Sequence, residues 1–286
     1  MSRGILYLVA GDEYVDEARD SANSVREHMS DIDIAIATDD DEYELDPFDQ
    51  VIRLDQAERE TRGERDWLID STLGPDLSPF DKTLYLDSDT YVCADVSELF
   101  GLLDQYDLAV ARVPNQPPVA GLPDPWHQYN CGVIAYRDTA PTRRLLSDWQ
   151  TRYRSQLEEQ DRPADQPAFA QALFHSDVRW FTLPREYNIR IPRRGTLANE
   201  VKIVHGRHPA GLAQLGNELN RSSRLRTFRE RSYRSAPAFT VQTKPKIRYR
   251  LEREITENGL AHTLAQAAVY SIDQLFGTNM YDRRFM

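Results

Sequence analysis

Short apolar runs and amphipathic stretches alternate along the first two hundred residues of the chain. Residues 4–10 form a continuous apolar run, and residues 14–29 carry apolar side chains at helical spacing. Further strands are predicted at 32–38, 51–54, 84–86, 108–111, 130–136 and 201–206, and further helices around 67–69, 96–103, 142–158 and from 165 onward. This alternation is typical of an α/β fold with a mostly parallel central sheet covered by helices on both faces.

One strand runs directly into two carboxylates. Its apolar residues end at Leu86, and Asp87, Ser88 and Asp89 follow. The carboxylates are therefore placed at the carboxyl edge of the sheet, where ligands of open α/β sheets bind. Two oxygen ligands with open positions suit Mg²⁺ or Mn²⁺ bridging a diphosphate. The alternative interpretation is a plain turn, because Asp and Ser are common turn residues.

The length and the cysteine content narrow the class of protein. At 286 residues the chain is long enough for one large domain and an extension. It has no run of about 18 apolar residues and no charged-then-apolar leader, so we expect neither a membrane span nor a standard secretion signal. Cys93 and Cys131 are too few for a disulfide framework and predict buried thiols in a reducing, cytoplasmic compartment.

Charge is spread unevenly along the chain, whose formal net charge is −11. Residues 1–100 carry 27 Asp and Glu against 8 Lys and Arg, whereas residues 201–250 carry 2 against 12. We therefore predict a catalytic domain at 1–215 and an Arg-rich, partly helical extension at 216–286. The chain has 28 Asp but only four Lys, a composition that predicts a halophilic protein, with a surface adapted to high salt.

Two interactions are expected of the basic extension. Ten Lys and Arg in 221–250 are opposed only by Glu230, and a weakly apolar helix is predicted around 259–276. We expect either docking on the acidic N-terminal part or peripheral contact with the cytoplasmic face of an anionic membrane. Nucleic acid is not an expected partner, because aromatic residues are sparse in the basic segment and the whole chain repels polyanions.

A Pro/Gly-rich loop at 114–127 is too long for a plain connector. Trp126 and His127 close it, just before the strand that begins at Asn130. We expect this loop to line the acceptor side of a site, with the indole as a platform for a sugar ring. The alternative is that Trp126 is a hydrophobic plug that holds the loop down.

Five segments, taken in this order, resemble a known family. They are Leu8–Tyr14, Tyr85–Thr90, Tyr129–Val133, Asp165–Gln166 and Val204–Gly206. The chain resembles the nucleotide-sugar-dependent glycosyltransferases of the GT-A fold, most closely the glycogenin-like and galactosyltransferase-like family 8, over roughly residues 4–210. The resemblance implies a glycosyltransferase that moves a sugar from a nucleoside-diphosphate sugar to a glycan, lipid-linked or protein acceptor. A UDP-sugar is the leading candidate for the donor.

The resemblance also implies a metal site and a nucleotide-sugar site. The metal ligands are Asp87, Asp89 and a late histidine, His205, with His208 as the competing candidate. A mixed nitrogen and oxygen site suits Mn²⁺ better than Mg²⁺. The nucleotide-sugar-binding residues are Ala10, Gly11, Tyr14, Asp39, Asp87, Ser88, Asn130 and Arg207.

Several of these residues also have plain structural interpretations. Tyr14 can stack on the base or be an ordinary half-buried tyrosine, and Asp39 can accept from the base or ribose or be solvated surface charge. Asn130 suits sugar hydroxyls, since its amide both donates and accepts, but it also suits a turn. The family follows its late histidine with Gly, Lys, Pro and Trp. Here Arg207 stands where the family has the lysine, and we expect its guanidinium to donate two hydrogen bonds to a phosphate.

Asp165 is the predicted catalytic carboxylate, as a base or a sugar-positioning group, and helix capping is its alternative role. The resemblance implies retention of configuration, with Gln166 near the anomeric face. Two other functions remain open. A sugar-1-phosphate nucleotidyltransferase usually has a Gly-rich, basic loop after its first strand, which Gly11–Asp16 does not provide. A catalytically inactive nucleotide-sugar-binding module would keep the fold and lose turnover.

Overall fold

The computed structural model describes residues 1–9, 11–39, 46–54, 77–113, 117–159, 164–191, 195–222 and 225–228, and a few residues between 255 and 265. The chain divides into two compact units, Met1–Val241 and Gln242–Met286. Everything described below belongs to the first unit. The basic segment and the apolar helix of the extension lie largely outside the described residues, so their membrane or docking role stays a prediction.

A seven-stranded sheet forms the centre of the first unit, in the order β3-β2-β1-β4-β7-β6-β8. Its strands are β1 (Arg3–Val9), β2 (Asp33–Thr38), β3 (Gln50–Arg53), β4 (Lys82–Leu86), β6 (Leu108–Arg112), β7 (Tyr129–Arg137) and β8 (Trp180–Leu183). All the observed pairings are parallel except the two that β7 makes with β4 and β6. The predicted mostly parallel sheet is confirmed.

Helices cover both faces of this sheet. They are α1 (Asp12–His28), α2 (Glu98–Leu102), α3 (Ala140–Glu159) and α4 (Asp165–His175). A fifth helix, α5 (Leu212–Leu219), packs in a separate core of the unit. The apolar stripe of α1 packs with α2 on one face, and α3 and α4 pack on the other. The side chains of β4 alternate between the two faces of the sheet. Leu84 and Leu86 pack in the core beneath α1, and Tyr85 packs in the core beneath α3 and α4.

A second, three-stranded sheet stands beside the carboxyl edge of the first. It consists of β5 (Thr90–Val92), β11 (Ile203–His205) and β9 (Ile189–Arg190), with β11 antiparallel to β5 and parallel to β9. A short 3₁₀ helix (Arg185–Tyr187) precedes β9. A two-stranded antiparallel sheet, β10 (Gly195–Leu197) with β12 (Arg226–Phe228), completes the unit. Of the three strands in the three-stranded sheet, the sequence predicted β11, within the strand at 201–206, but not β5 or β9.

The domain boundary predicted at 215/216 stays a prediction. The first unit extends to Val241 and includes α5 and the pairing of β10 with β12. The helix predicted around 67–69 lies outside the described residues. Within the described part of the chain, no helix has the length and apolar character needed to cross a bilayer.

Candidate metal centre and its surroundings

A ligand cluster of Asp87, Asp89 and His205 is assembled by the pairing of two short strands. Asp87 follows the last residue of β4, and the turn through Asp89 leads directly into β5. In the antiparallel pairing of β5 with β11, Thr90 lies opposite His205. The amide N–H of Gly206 also donates to the carbonyl oxygen of Asp89 at 2.8 Å. Backbone pairing therefore brings the imidazole to the two carboxylates from 116 residues away.

The geometry of the cluster fits a divalent cation. His205 Nε2 lies 3.3 Å from Asp87 Oδ2 and 3.1 Å from Asp89 Oδ1. One donor atom from each residue lies within 4.8 Å of the other two. The His205 side chain is 1% exposed, yet Nε2 makes no well-aligned hydrogen bond to any described residue. A buried nitrogen that faces two carboxylates is stabilised by a proton or by a cation.

The three ligands predicted from the sequence are therefore brought together by the structure. His208, the competing candidate, is not part of this cluster, and it lies three residues further on in the chain. Among the described residues no other group of three His, Cys, Asp or Glu side chains brings its ligand atoms within 4.8 Å of one another. The donor set of one nitrogen and two carboxylates is compatible with Mn²⁺.

Two buried asparagines support the imidazole from behind. His205 Nδ1 lies 2.9 Å from Asn188 Oδ1, and Asn188 Nδ2 donates to Asn130 Oδ1 at 2.7 Å. The backbone N–H of Gly132 donates to the same Asn130 oxygen at 3.2 Å. Asn130 is 4% exposed and Asn188 is 5% exposed. The side chain predicted to bind a sugar is thus also part of the support of a metal-ligand candidate.

Gly132 makes the approach of these ligands possible. It lies in β7, next to β4, and its carbonyl accepts from the amide N–H of Asp87 at 2.9 Å. A Cβ at this position would overlap the His205 ring and the Asp87 carboxylate. The glycine of the Asn-Cys-Gly-Val segment is therefore explained by space for two ligands, not by an unusual backbone conformation.

The charges of the cluster shift the pKa values of its members. Burial would lower the pKa of His205, but interaction with Asp87 and Asp89 outweighs burial and raises it. Burial would raise the pKa of Asp89, but His205 and two nearby arginines, Arg190 and Arg207, lower it. The imidazole and the carboxylates thus stabilise each other's charged forms when no metal is bound.

Asp165 lies at the start of α4, facing the cluster. Burial, and then the charge of Asp87, raise its pKa, while the backbone N–H of Gln166 lowers it by donating a hydrogen bond. The carbonyl of Asp165 accepts from Trp149 Nε1 at 3.1 Å, which fixes the start of the helix. Asp165 is the first residue of α4, whose N-cap position is Ala164, and its carboxylate lies near enough to Asp87 for that charge to raise its pKa. The catalytic role of Asp165 stays a prediction.

A second group, the arginine cluster, consists of Arg207, Glu17, Ser88 and Tyr14. Arg207 makes two hydrogen bonds to Glu17, Nε to Oε1 at 2.5 Å and NH2 to Oε2 at 2.7 Å. Ser88 Oγ donates to Glu17 Oε2 at 3.1 Å, and the guanidinium lies 5.6 Å from the ring centroid of Tyr14. Arg207, the residue predicted to bind phosphate, is therefore held beside the Asp-Ser-Asp turn by the carboxylate of Glu17 in α1.

Asp39 is buried and not a solvated surface charge. It is 3% exposed at the end of β2, and its Oδ1 accepts from the backbone N–H of Gly11 at 3.1 Å. This bond joins the carboxyl ends of β1 and β2, the edge at which the resemblance places the nucleoside. Ala10, the other residue predicted there, lies outside the described residues.

A cavity of about 750 Å³ opens beside both clusters. Its walls include Ser88 and Asp89 from the turn, Glu17 from α1, Arg207, and the first turn of α5. A volume of this size accommodates a small-molecule ligand. Of the three candidate metal ligands, Asp89 lines this cavity.

The Pro-rich loop is fixed to the scaffold by its tryptophan. Trp126 Nε1 donates to the carbonyl of Ala170 in α4 at 3.1 Å, and its ring packs edge-on against three other aromatic rings. Gln171 Nε2 also donates to the carbonyl of Ala120 in the loop. These contacts favour the plug interpretation of Trp126 over the platform for an acceptor sugar.

Sequence reasoning missed two residues of the site, Asn188 and Glu17. Asn188 precedes a strand of two residues, and its role depends on contacts with β7 and β11 that no local pattern encodes. Glu17 is one of many acidic residues on α1. Only the helical spacing from Tyr14, three residues earlier on the same face, offered a signal for it.

Comparisons with known proteins bear on the fold. No protein-family model matches the chain, and no curated protein matches it either. Among solved structures, the glycosyltransferase GlyE of Streptococcus pneumoniae TIGR4 is 20% identical, with a TM-score of 0.50; the match covers 77% of this chain and 61% of GlyE. Galactosyltransferase LgtC, solved with donor and acceptor sugar analogues, is 15% identical, with a TM-score of 0.48, and the match covers 75% of this chain and 94% of LgtC.

The chain therefore has the GT-A-type fold of glycosyltransferases, as its sequence predicted. It spans about three fifths of the length of GlyE, the first of these structures. At 20% identity the likeness concerns the fold, and the activity has to be argued from the site.

Proposed function

We propose that this protein is a metal-dependent glycosyltransferase. It moves a sugar from a nucleoside-diphosphate sugar, with a UDP-sugar as the leading candidate, to a glycan, lipid-linked or protein acceptor. One observation carries the proposal. Two carboxylates and one buried imidazole nitrogen without a hydrogen-bond partner among the described residues converge at the carboxyl edge of a GT-A-type sheet, beside a cavity. That edge is where open α/β sheets bind their ligands.

The residues present fit Mn²⁺ or Mg²⁺, with Mn²⁺ preferred because one ligand is a nitrogen. Asp87, Asp89 and His205 would hold the ion. When bound, such an ion acts as a Lewis acid that neutralises the charge of a leaving diphosphate. Three protein ligands leave coordination positions open for phosphate oxygens and water.

Arg207 would hold the diphosphate from the other side. Its guanidinium presents a planar fork of donors that matches phosphate oxygens, and its pKa is raised by the hydrogen bonds to Glu17, so it stays charged. Ser88 adds a hydroxyl beside it. Tyr14, in the first turn of α1, and Asp39, which follows the last residue of β2, would face the nucleoside.

The sugar end of the donor would lie toward Asp165 and Gln166. In a retaining transfer, Gln166 would lie near the anomeric face, and Asp165 would position the sugar through its hydroxyls. Burial favours the protonated form of Asp165, in which the carboxyl can donate as well as accept.

The two other functions are less well supported by the fold. For a nucleotidyltransferase the loop after β1 should carry glycines and basic residues for the triphosphate. Here α1 begins at Asp12, immediately after the single Gly11. An inactive binding module would tolerate loss of a ligand, but all three metal-ligand candidates are present and positioned.

The test is calorimetry followed by a turnover screen. We expect Mn²⁺ to bind the protein and to strengthen the binding of UDP over other nucleoside diphosphates. A panel of nucleotide sugars should then release nucleoside diphosphate only with the metal. Binding without turnover of any donor would favour the inactive module, and pyrophosphate release from a nucleoside triphosphate and a sugar 1-phosphate would favour the nucleotidyltransferase.

A further inference from the structure

Behind the ligand cluster, a chain of three hydrogen bonds runs from the backbone to the imidazole of His205. It starts at the backbone N–H of Gly132, passes through Asn130 and Asn188, and ends at His205 Nδ1. All three side chains are at least nine-tenths buried. Water therefore cannot replace the hydrogen-bond partners of these buried side chains.

The backbone donor fixes the orientation of both amides. An N–H can only donate, so the Asn130 atom that meets the N–H of Gly132 is its oxygen. Since an oxygen can only accept, the Asn188 atom at 2.7 Å from it is the nitrogen. The remaining Asn188 atom, its oxygen, then faces His205 Nδ1 at 2.9 Å. The hydrogen bonds therefore fix which atom is oxygen and which is nitrogen in both amides.

An oxygen facing Nδ1 requires that Nδ1 carry the proton. In the neutral imidazole, Nε2 then presents its lone pair to the space between Asp87 and Asp89. We propose that Asn188, held by Asn130, is a positioning residue that selects the Nδ1–H tautomer of His205 and aims Nε2 at the cation. This inference rests on the metal-binding part of the proposed function. It also gives Asn130 a role that does not require contact with the sugar.

Mn²⁺ affinity of the full-length protein tests the proposal by calorimetry. Asn188→Leu removes both bonds at similar volume and should weaken Mn²⁺ binding by about 10- to 100-fold, the usual cost of losing a residue that orients a metal ligand. Asn188→Asp keeps an oxygen acceptor for Nδ1–H but loses the donor to Asn130 Oδ1, so it should bind Mn²⁺ more tightly than Asn188→Leu. Asn220 is the matched control: its amide makes two hydrogen bonds, both to the backbone of Val201, and Asn220→Leu should leave the affinity unchanged.

Nitrogen-15 NMR of the metal-free wild type at alkaline pH gives a readout that needs no metal. We expect the His205 signal, assigned by its absence in His205→Asn, to show a protonated Nδ1 and a bare Nε2. An Nε2–H tautomer in the wild type, or unchanged Mn²⁺ affinity in a folded Asn188→Leu, would overturn the proposal. A wild type that has the Nδ1–H tautomer but binds no Mn²⁺ would leave the positioning role standing and refute the metal site.

Discussion

The two clusters beside the cavity are built in different ways. The ligand cluster is supported by buried, neutral hydrogen bonds that end on the backbone of β7. The arginine cluster is held by charge: Arg207 is 57% exposed and Glu17 is 26% exposed. Buried amide bonds are insensitive to ionic strength, whereas exposed ion pairs are screened by salt and contribute little to stability.

This difference indicates which part of the site is preorganised and which part can exchange partners. The imidazole of His205 has one partner on Nδ1 and little freedom to rotate. Arg207 has a carboxylate partner that a diphosphate can replace with the same bidentate geometry. We therefore expect changes near the ligand cluster to have large effects, and changes in the arginine cluster to have small, salt-dependent ones.

The largest effect is expected for Asp89→Asn. A neutral amide is a far poorer ligand for a hard dication, and loss of a Lewis acid worth several kcal/mol lowers turnover by roughly 10³-fold or more. Metal-dependent nucleotide binding should be lost with it, while circular dichroism shows an intact fold. A variant that keeps full Mn²⁺-dependent turnover would refute the assignment of Asp89.

Gly132→Ala should be the next most severe change, because the added methyl group overlaps both His205 and Asp87. We expect the loss of most Mn²⁺ affinity and about 1–3 kcal/mol of stability from overpacking. Gly101→Ala in α2 is the matched control, since a Cβ there meets nothing within 4 Å. It should keep the affinity and raise stability by up to about 1 kcal/mol, as alanine favours helix. Equal behaviour of the two variants in calorimetry and thermal unfolding would contradict this account.

The pH dependence of metal binding should follow His205. Its pKa is raised above 6.5, so a proton competes for Nε2 at pH values where an ordinary histidine is already neutral. Mn²⁺ affinity should fall about tenfold per pH unit below that raised pKa, as one proton is displaced per ion. His208→Asn should leave this dependence unchanged.

Stability without metal should show the opposite trend. Because the folded-state pKa of His205 is raised, its contribution is fully present below the unfolded value near 6.5 and is lost as the pH rises through the folded value. The melting temperature of metal-free protein should therefore decline over the same pH window in which stabilisation by Mn²⁺ grows. A His205→Asn variant in which both trends persist would contradict the assignment.

Glu17→Gln should have the smallest effect. It removes a carboxylate that competes with the diphosphate for Arg207, and an exposed pair is worth about 0.2–1 kcal/mol, so UDP affinity should rise up to roughly fivefold at low salt. The gain should vanish at high salt. Asp16→Asn on the same helix, which breaks an exposed pair with Arg19, is the control and should change nothing. A fall in affinity would show instead that Glu17 orients Arg207 for the donor.

Local sequence patterns predicted every strand of the seven-stranded sheet except β8, the helices α1 to α4, and the position of the two carboxylates. These follow from local periods: apolar runs of strand length, helical spacing of small apolar residues in α1, and an Asp-Ser-Asp turn directly after the last residue of β4. A resemblance of five short segments added His205 to the set. Each of these features is contained in a few consecutive residues or in their order along the chain.

The tertiary structure alone decided how the site is completed. His205 reaches Asp89 through the pairing of β11 with β5, and Asn188 reaches His205 from the end of a 3₁₀ helix. Arg207 meets Glu17 across 190 residues. Strands of two or three residues and single polar side chains carry no periodic signal. Their partners are chosen by packing and by the need to satisfy buried polar groups, which depend on the whole fold.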